Sequence, residues 1–255
     1  MNPNSLCDTH FHLSLSDDID EIIKRAEANN VKNFIVSCCD LQSIKEGLRI
    51  IDKYPNIFLT IGIHPDEVEN YKDEDILYLK ELIISNSKII GIGEIGLDYY
   101  HNKDNKDRQI ELFKKQLELA KELNKPVVIH SRDAFEDTYN ILKTYHLRTT
   151  IHCFSGSLET AKLYIKEGYL LGIGGVLTFK NSKLKDVIKS IPIENIVFET
   201  DSPYLSPEPY RGERNEPKNI AVICNYLADV LSTNVNELII KTTNNVINQY
   251  NLFKK

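Results

Sequence analysis

The sequence has no long apolar run and no excess of positive charge, and each absence excludes a class of protein. No stretch approaches the about 18 consecutive apolar residues of a transmembrane helix. No basic segment followed by an apolar run opens the chain, so we expect neither a membrane span nor a signal peptide. Lys and Arg number 31 against 37 Asp and Glu, a net charge of −6. This balance excludes a uniformly basic coat for nucleic acid, because such binding depends on Lys and Arg neutralising phosphates. A local positive site is not excluded.

Cysteine is sparse, and its five residues form no C-x-x-C motif. An odd number of scattered cysteines argues against a disulfide framework and favours a reduced, cytoplasmic protein. Hydrophobic residues make up 42% and charged residues 27% of the chain, which is typical of a folded globular protein rather than a disordered one. Because no linker-like or low-complexity segment interrupts the 255 residues, we predict a single domain over residues 1–255.

Eight short apolar runs alternate with longer amphipathic stretches. Most of the runs are continuously apolar, which is typical of strands that are covered on both faces of a parallel sheet. The predicted strands are 6–9, 33–37, 57–61, 89–93, 126–129, 149–151, 169–173 and 196–199. Eight βα units in about 250 residues predict an α/β fold, a (β/α)₈ TIM-like barrel. An open, doubly wound sheet is the alternative, although no G-x-G-x-x-G motif follows the first run.

The stretches between the runs have helical periodicity. Ile19, Ile22, Ile23 and Ala26 recur at the spacing of one helix face, and several stretches begin with Asp, Ser or Asn at the expected N-cap. The predicted helices are 17–30, 104–124, 133–145, 157–167 and 181–190, with one or two more in 217–252.

Polar residues interrupt this pattern where the strands end. In a barrel, the carboxyl ends of the strands converge on one mouth, where active sites lie. The candidate metal ligands at these positions are His10, His12, Glu94, His130, His152 and Asp201. Six ligands are too many for one structural zinc, which takes four. They suit two cations that share a carboxylate, and the central Glu94 is the natural bridge.

The motifs around these residues resemble the TatD family of metal-dependent deoxyribonucleases. They run in order from residue 8 to residue 217 and include Asp8-Thr9-His10-Phe11-His12, Gly62-Ile63-His64-Pro65, Gly93-Glu94-Ile95-Gly96-Leu97-Asp98-Tyr99-Tyr100, His130-Ser131-Arg132-Asp133, His152-Cys153-Phe154-Ser155-Gly156 and Glu199-Thr200-Asp201-Ser202-Pro203. The resemblance implies a TIM-like barrel and a dinuclear site. It places one cation on His10, His12, Glu94 and Asp201, and the other on Glu94, His130 and His152.

The sequence departs from the family pattern at two positions. Asp66 stands where members often have a second His after His-Pro, and Tyr210 stands where many have His before Arg-Gly. Neither is a metal ligand in the family, so the departures affect the expected substrate contacts rather than the expected metal site.

The resemblance implies cleavage of DNA phosphodiester bonds, as a 3′–5′ exonuclease on single-stranded DNA, by a water that two divalent cations activate. Two cations bring +4 and two carboxylates −2, so the site is locally about +2 although the chain is acidic. We predict Asp201 and Glu94 as catalytic residues, with His64 and Arg132 beside the phosphate. A surface ion pair with Asp133 is the alternative for Arg132. Tyrosines at the mouth are candidates for stacking bases or for packing: Tyr99, Tyr100 and Tyr204. Asp98 and Glu199 are expected to support the site.

The identity of the cations, the choice between DNA, RNA and another substrate, and the strand polarity and exonuclease or endonuclease mode of cleavage stay open at this point. Imidazole ligands suit Zn, Mn, Ni or Fe, whereas the resemblance implies activity with Mg. The same site suits hydrolysis of another ester or amide, such as an aminoacyl ester on tRNA, because a fold does not fix function. A non-catalytic metal-binding protein is the second alternative. The sequence indicates no obligate protein partner.

Overall fold

The computed structural model describes residues 1–101 and 103–252. The chain divides into two compact units. The terminal unit comprises Met1–Val36 and the chain from Cys153 onward, and the central unit comprises Ser37–His152. The single domain over 1–255 stays a prediction.

Eight strands form one sheet in chain order. They are β1 (Leu6–Phe11), β2 (Val31–Cys38), β3 (Ile57–Ile61), β4 (Ile89–Asp98), β5 (Val127–Arg132), β6 (Thr149–Ile151), β7 (Leu170–Ile173) and β8 (Ile196–Phe198). The pairs β1–β2, β3–β4, β4–β5, β5–β6 and β7–β8 are all parallel. The predicted (β/α)₈ barrel class is confirmed.

Helices alternate with the strands. They are α1 (Ile19–Ala28), α2 (Leu41–Lys53), α3 (Asp73–Ser85), α4 (Lys106–Glu122), α5 (Phe135–Leu142), α6 (Leu158–Lys166), α7 (Leu184–Ile188), α8 (Ile220–Leu231) and α9 (Val235–Tyr250). In the part of the chain that the structure describes, no helix is both long and apolar enough to cross a membrane.

Helices α2 and α3 were not among the sequence predictions. At the start of α2, the Asp40 side chain accepts hydrogen bonds from the backbone N–H groups of Gln42 and Ser43, and the Ser43 hydroxyl reaches back to the N–H of Asp40. This reciprocal capping satisfies N–H groups that have no partner inside the helix. Gly47 lies on the buried face, where a Cβ would come within 2.6 Å of Cys38 Sγ. Gly47 interrupts the apolar pattern of the sequence, but because it has no side chain, α2 can pack closely against Cys38.

Strands β1, β4 and β5 extend beyond their predicted ends. Glu94 lies in the middle of β4, and His10 and His130 lie within β1 and β5, rather than after the strands. The polar residues continue the backbone pairing, because β4 and β5 stay in register from Gly96 opposite His130 to Asp98 opposite Arg132. The buried polar side chains broke the apolar pattern without ending the strands.

In the terminal unit, the first and last strands lie side by side. The Thr9 hydroxyl donates to the carbonyl of Phe198 at 2.8 Å. The backbone N–H of Asp201 donates to the carbonyl of His10 at 3.0 Å, and that of His12 donates to Ser202 at 2.8 Å. These bonds bring the end of β1 against the segment that follows β8.

Candidate metal centre

The terminal unit holds three of the predicted ligands together. Asp201 Oδ1 lies 3.5 Å from His12 Nε2 and 4.0 Å from His10 Nε2. His10 is buried, whereas 27% of the His12 side chain is exposed. His10 lies on β1 and His12 directly follows its last residue, and a separation of two residues is the spacing at which side chains of an extended chain point the same way. These three side chains form a cluster in which solvent reaches His12 and, to a smaller extent, Asp201.

Asp201 takes a left-handed backbone conformation, with φ of 54°. The residue before it is anchored from β1, since Asp8 accepts hydrogen bonds from the Thr200 hydroxyl at 2.6 Å and from the Thr200 N–H at 3.0 Å. Asp8 is fully buried, and burial raises the pKa of its carboxyl well above the usual value, against the hydrogen bonds from Thr200. Local strain at functional sites persists where the surroundings fix it, as Asp8 does here.

In the central unit, the Glu94 carboxylate contacts three histidines and one cysteine. Its Oε1 lies 2.8 Å from His130 Nδ1, 3.7 Å from His152 Nε2 and 3.8 Å from His64 Nε2. Its Oε2 accepts a hydrogen bond from the Cys39 thiol at 3.8 Å. The carboxylate is almost completely buried, and imidazoles from three different segments lie beside it. The sequence prediction that Glu94 occupies a central position among the histidines is consistent with this arrangement.

His130 lies between two carboxylates. Nδ1 faces Glu94, and Nε2 lies 3.0 Å from Asp98 Oδ2. Burial acts to lower the pKa of His130, but the hydrogen bonds to Asp98 and Glu94 outweigh it and raise this pKa to about 9. Burial acts to raise the pKa of Asp98, and the bonds from His130 and His101 hold it well below the usual range. The two carboxylates thus favour the protonated form of the His130 imidazole.

The donor sets of both units fit divalent cations. Two ligands at about 2.1 Å from a tetrahedral ion stand about 3.4 Å apart. The contacts of Asp201 with His12 and of Glu94 with His152 are close to this separation and longer than hydrogen bonds, at 3.5 and 3.7 Å. In the central unit, ligand atoms of His64, Glu94 and His130 all lie within 4.8 Å of one another. Imidazole nitrogens with carboxylate oxygens are the donors that Zn, Mn and Ni prefer.

The predicted phosphate-binding residues have different surroundings. His64 begins the 3₁₀ turn Pro65–Glu67, and its Nδ1 accepts the backbone N–H of Asp66 at 3.2 Å. The neighbouring imidazole of His64 lowers the pKa of the Asp66 carboxyl. Arg132 is exposed at the end of β5, and its guanidinium lies 4.1 Å from the centre of the Tyr100 ring. Arg132 is thus part of a cation–π pair.

The three candidate stacking tyrosines divide into one packed and two exposed residues. Tyr99 is buried, with its hydroxyl donating to Asp137 at 2.7 Å, so it belongs to the packing. Tyr100 and Tyr204 are 55% and 62% exposed. Tyr204 lies near His12, with 6.2 Å between the ring centres. Only these two have rings available to a ligand.

Several residues that support the site carry no signal in the sequence pattern. Gln109 and Gln116 lie on α4 with fully buried side chains that bind the peptide groups of Asp98 and Ile63. By contrast, the sequence predicts a supporting role for Glu199, and its carboxylate accepts the N–H of Cys153 at 2.5 Å. A glutamine on a helix is ordinarily read as a surface residue, so nothing in one sequence distinguishes these two. Only their burial reveals them.

A family model described as TatD related DNase matches residues 7–251. The chain belongs to this family. The uncharacterized metal-dependent hydrolase YabD of Bacillus subtilis is 40% identical over 247 residues, which cover 94% of this chain and 96% of YabD. YcfH of Escherichia coli K12, also an uncharacterized metal-dependent hydrolase, is 33% identical over 94% of this chain and 93% of its own. This TatD-family chain is a metal-dependent hydrolase.

Solved structures agree with this assignment. The crystal structure of YjjV, a TatD homologue from Escherichia coli K12, superposes with a TM-score of 0.93 at 29% identity, over 98% of this chain and 99% of YjjV. A TatD-family hydrolase from Entamoeba histolytica superposes with a TM-score of 0.85 at 26% identity, over 97% and 98% of the two chains. The fold similarity therefore covers nearly the whole of this chain and of each of the two matched structures.

Proposed function

We propose that this TatD-family hydrolase is a deoxyribonuclease that releases nucleotides from the 3′ end of single-stranded DNA. The observation that carries the proposal is the exposed pair of Arg132 and Tyr100, because a guanidinium fits phosphate oxygens and an aromatic ring stacks on a base. Arg132 follows the candidate ligand His130 by two residues on β5, and Tyr100 lies two residues beyond the end of β4, the strand that carries Glu94.

The proposed cofactors are two divalent cations, Mg, Zn, Mn or Ni. His10, His12 and Asp201 would hold one, and Glu94, His130 and His152 would hold the other. The assignment of Glu94 as a carboxylate shared by both stays a prediction from the family resemblance. When bound, such cations acidify water and stabilise the charge that develops on phosphate oxygens.

The side chains of the protein have separate tasks in this proposal. Asp201 accepts a proton from the attacking water at a carboxylate oxygen, since its side chain is partly open to solvent. The negative charge of Glu94 orients the imidazoles of His64, His130 and His152, which lie around it. Arg132 and His64 bind the phosphate, and Tyr100 stacks on a base. DNA is thereby recognised at a local site, as the acidic net charge of the chain requires.

The test is digestion of 5′-labelled single-stranded DNA with Mg, Mn or Zn. The wild-type protein should shorten the DNA from the 3′ end. Glu94→Gln should lose about a hundredfold or more of the rate, because even outer-shell residues of metal sites contribute about 10–100-fold. Glu69→Gln is the matched control, since Glu69 is exposed and pairs with Arg108. Equal rates for the two variants would refute the metal-dependent mechanism.

A second comparison tests the choice of DNA. Arg132→Gln should raise KM on DNA about tenfold, the equivalent of one charge-assisted contact of about 1.4 kcal/mol. Arg108→Gln removes an exposed guanidinium of the same unit and should leave KM unchanged. The same preparations are assayed on an aminoacyl-tRNA ester. Hydrolysis of the ester without digestion of DNA would overturn the DNA assignment and leave the hydrolase assignment intact. Metal binding without turnover of either substrate would favour a non-catalytic protein.

A further inference from the structure

Asp98 is a buried carboxylate whose two oxygens serve different partners. Oδ1 accepts the backbone N–H groups of Tyr100 at 2.9 Å and His101 at 2.8 Å. Oδ2 lies 3.0 Å from His130 Nε2 and 2.9 Å from His101 Nδ1. Only 1% of Asp98 is exposed. One oxygen therefore anchors the turn after β4, and the other faces two imidazoles.

The backbone of Asp98 is itself held in place. Gln109 Oε1 accepts the N–H of Asp98 at 2.8 Å, and Gln109 Nε2 donates to its carbonyl at 3.0 Å. Gln109 is fully buried on α4. The residue opposite Asp98 on β5 is Arg132, two positions beyond His130. Asp98 thus faces His130 from the end of β4, where the buried side chain of Gln109 holds its backbone in place.

We propose that Asp98 is the positioning residue of His130, and that it selects Nδ1 as the atom that binds a cation. A carboxylate only accepts hydrogen bonds, so the contacts of His130 with Asp98 and with Glu94 each place a proton on the nitrogen concerned. Glu94 is itself a candidate ligand and Asp98 is not, so a cation would displace the proton of Nδ1, the atom 2.8 Å from Glu94 Oε1, while Asp98 keeps the proton on Nε2. The inference rests on the proposed function in one respect, namely that His130 binds a divalent cation. Outer partners of this kind fix the ring orientation of metal-binding histidines.

Replacement of Asp98 by Asn should reverse the favoured tautomer of His130. The amide oxygen would keep the Oδ1 position, because that position accepts the N–H groups of Tyr100 and His101. The amide NH₂ would then take the Oδ2 position and donate to His130 Nε2. That bond requires the proton of the imidazole on Nδ1, where it blocks the cation. The shape of the side chain is preserved while the favoured tautomer is reversed.

The experiment measures Zn²⁺ binding and the protonation of His130 by nitrogen NMR in the full-length protein. In the zinc-loaded wild type, we expect the proton on Nε2 and the metal on Nδ1. In Asp98→Asn, we expect zinc affinity to fall about 10–100-fold. Asp137→Asn is the matched control, because its exposed carboxylate accepts a hydrogen bond from the Tyr99 hydroxyl. The control should bind zinc as the wild type does.

The outcomes separate this inference from the proposed function. Zinc bound to Nε2 of His130 in the wild type would overturn the inference, and this measurement does not depend on the folding of any variant. Equal zinc affinity for Asp98→Asn and Asp137→Asn would overturn it as well, while the hydrolase assignment stands. A wild-type protein that binds no divalent cation would overturn both.

Discussion

The link between Asp8 and Thr200 gives a prediction whose magnitude follows from the structure. Thr200→Val keeps the shape of a fully buried side chain and removes its hydroxyl. The hydroxyl donates to Asp8 Oδ2 at 2.6 Å and accepts the N–H of Ser202 at 3.2 Å. Loss of both bonds in the interior should cost about 3 kcal/mol, since each buried group left without a partner costs about 1–3 kcal/mol. For a chain of this size, that corresponds to a fall in Tm of about 6–12 °C.

Thr200→Ser is the control for this substitution, because it keeps the hydroxyl and removes one methyl group, at a cost of about 1 kcal/mol. Both variants are compared with the wild type by denaturant unfolding and by thermal melting. Zinc affinity is measured as well, since Thr200 precedes the candidate ligand Asp201. We expect the valine variant to be less stable than the serine variant by about 2 kcal/mol. Equal stability of the two variants would refute the reasoning that Asp8 anchors this segment through the hydroxyl.

Three further predictions concern the central unit. Gly96→Ala should destabilise the protein by more than about 3 kcal/mol in denaturant unfolding, because φ is 145° and the new Cβ would lie 2.0 Å from the carbonyl oxygen of His130. Gln116→Leu should cost about 3 kcal/mol, because the N–H and carbonyl of Ile63 would lose their buried partner. In the metal-free protein, His130 has a pKa of about 9 against an ordinary 6.5, so its stabilisation is complete below about pH 6.5 and is lost as the pH rises through about 9. Unfolding free energies measured across that range should decline with pH, and Asp98→Asn should flatten the decline.

The sequence predicted the order of strands and helices well because their signals are local. Continuous apolar runs and amphipathic stretches alternate along the chain, and both patterns are readable within a few residues. The pair of His10 and His12 was equally readable, because alternate residues of a strand share a face. The end of β4 could not be predicted in this way, because the strand continues through the buried polar residues Glu94 and Asp98. The apolar pattern alone predicts that the strand ends before them.

The supporting contacts of the site could not be predicted from the sequence. Asp8 and Thr200 are 192 residues apart, and Asp98 and His130 are 32 residues apart. The hydrogen-bond partners of a buried polar group depend on which strands lie next to each other, and no local sequence pattern indicates this.

The sequence by itself determined that this chain alternates strands with helices and that imidazoles and carboxylates interrupt or follow the apolar runs of the strands. It also carried the motifs of the TatD family. Only the tertiary structure decided that Glu94 gathers three imidazoles within the central unit, that Tyr99 is packed while Tyr100 is exposed, and that Asp98 faces Nε2 of His130. The physical reason is that composition and periodicity fix which face of an element is buried, whereas hydrogen-bond partners and distances depend on the register between segments that are distant in the chain.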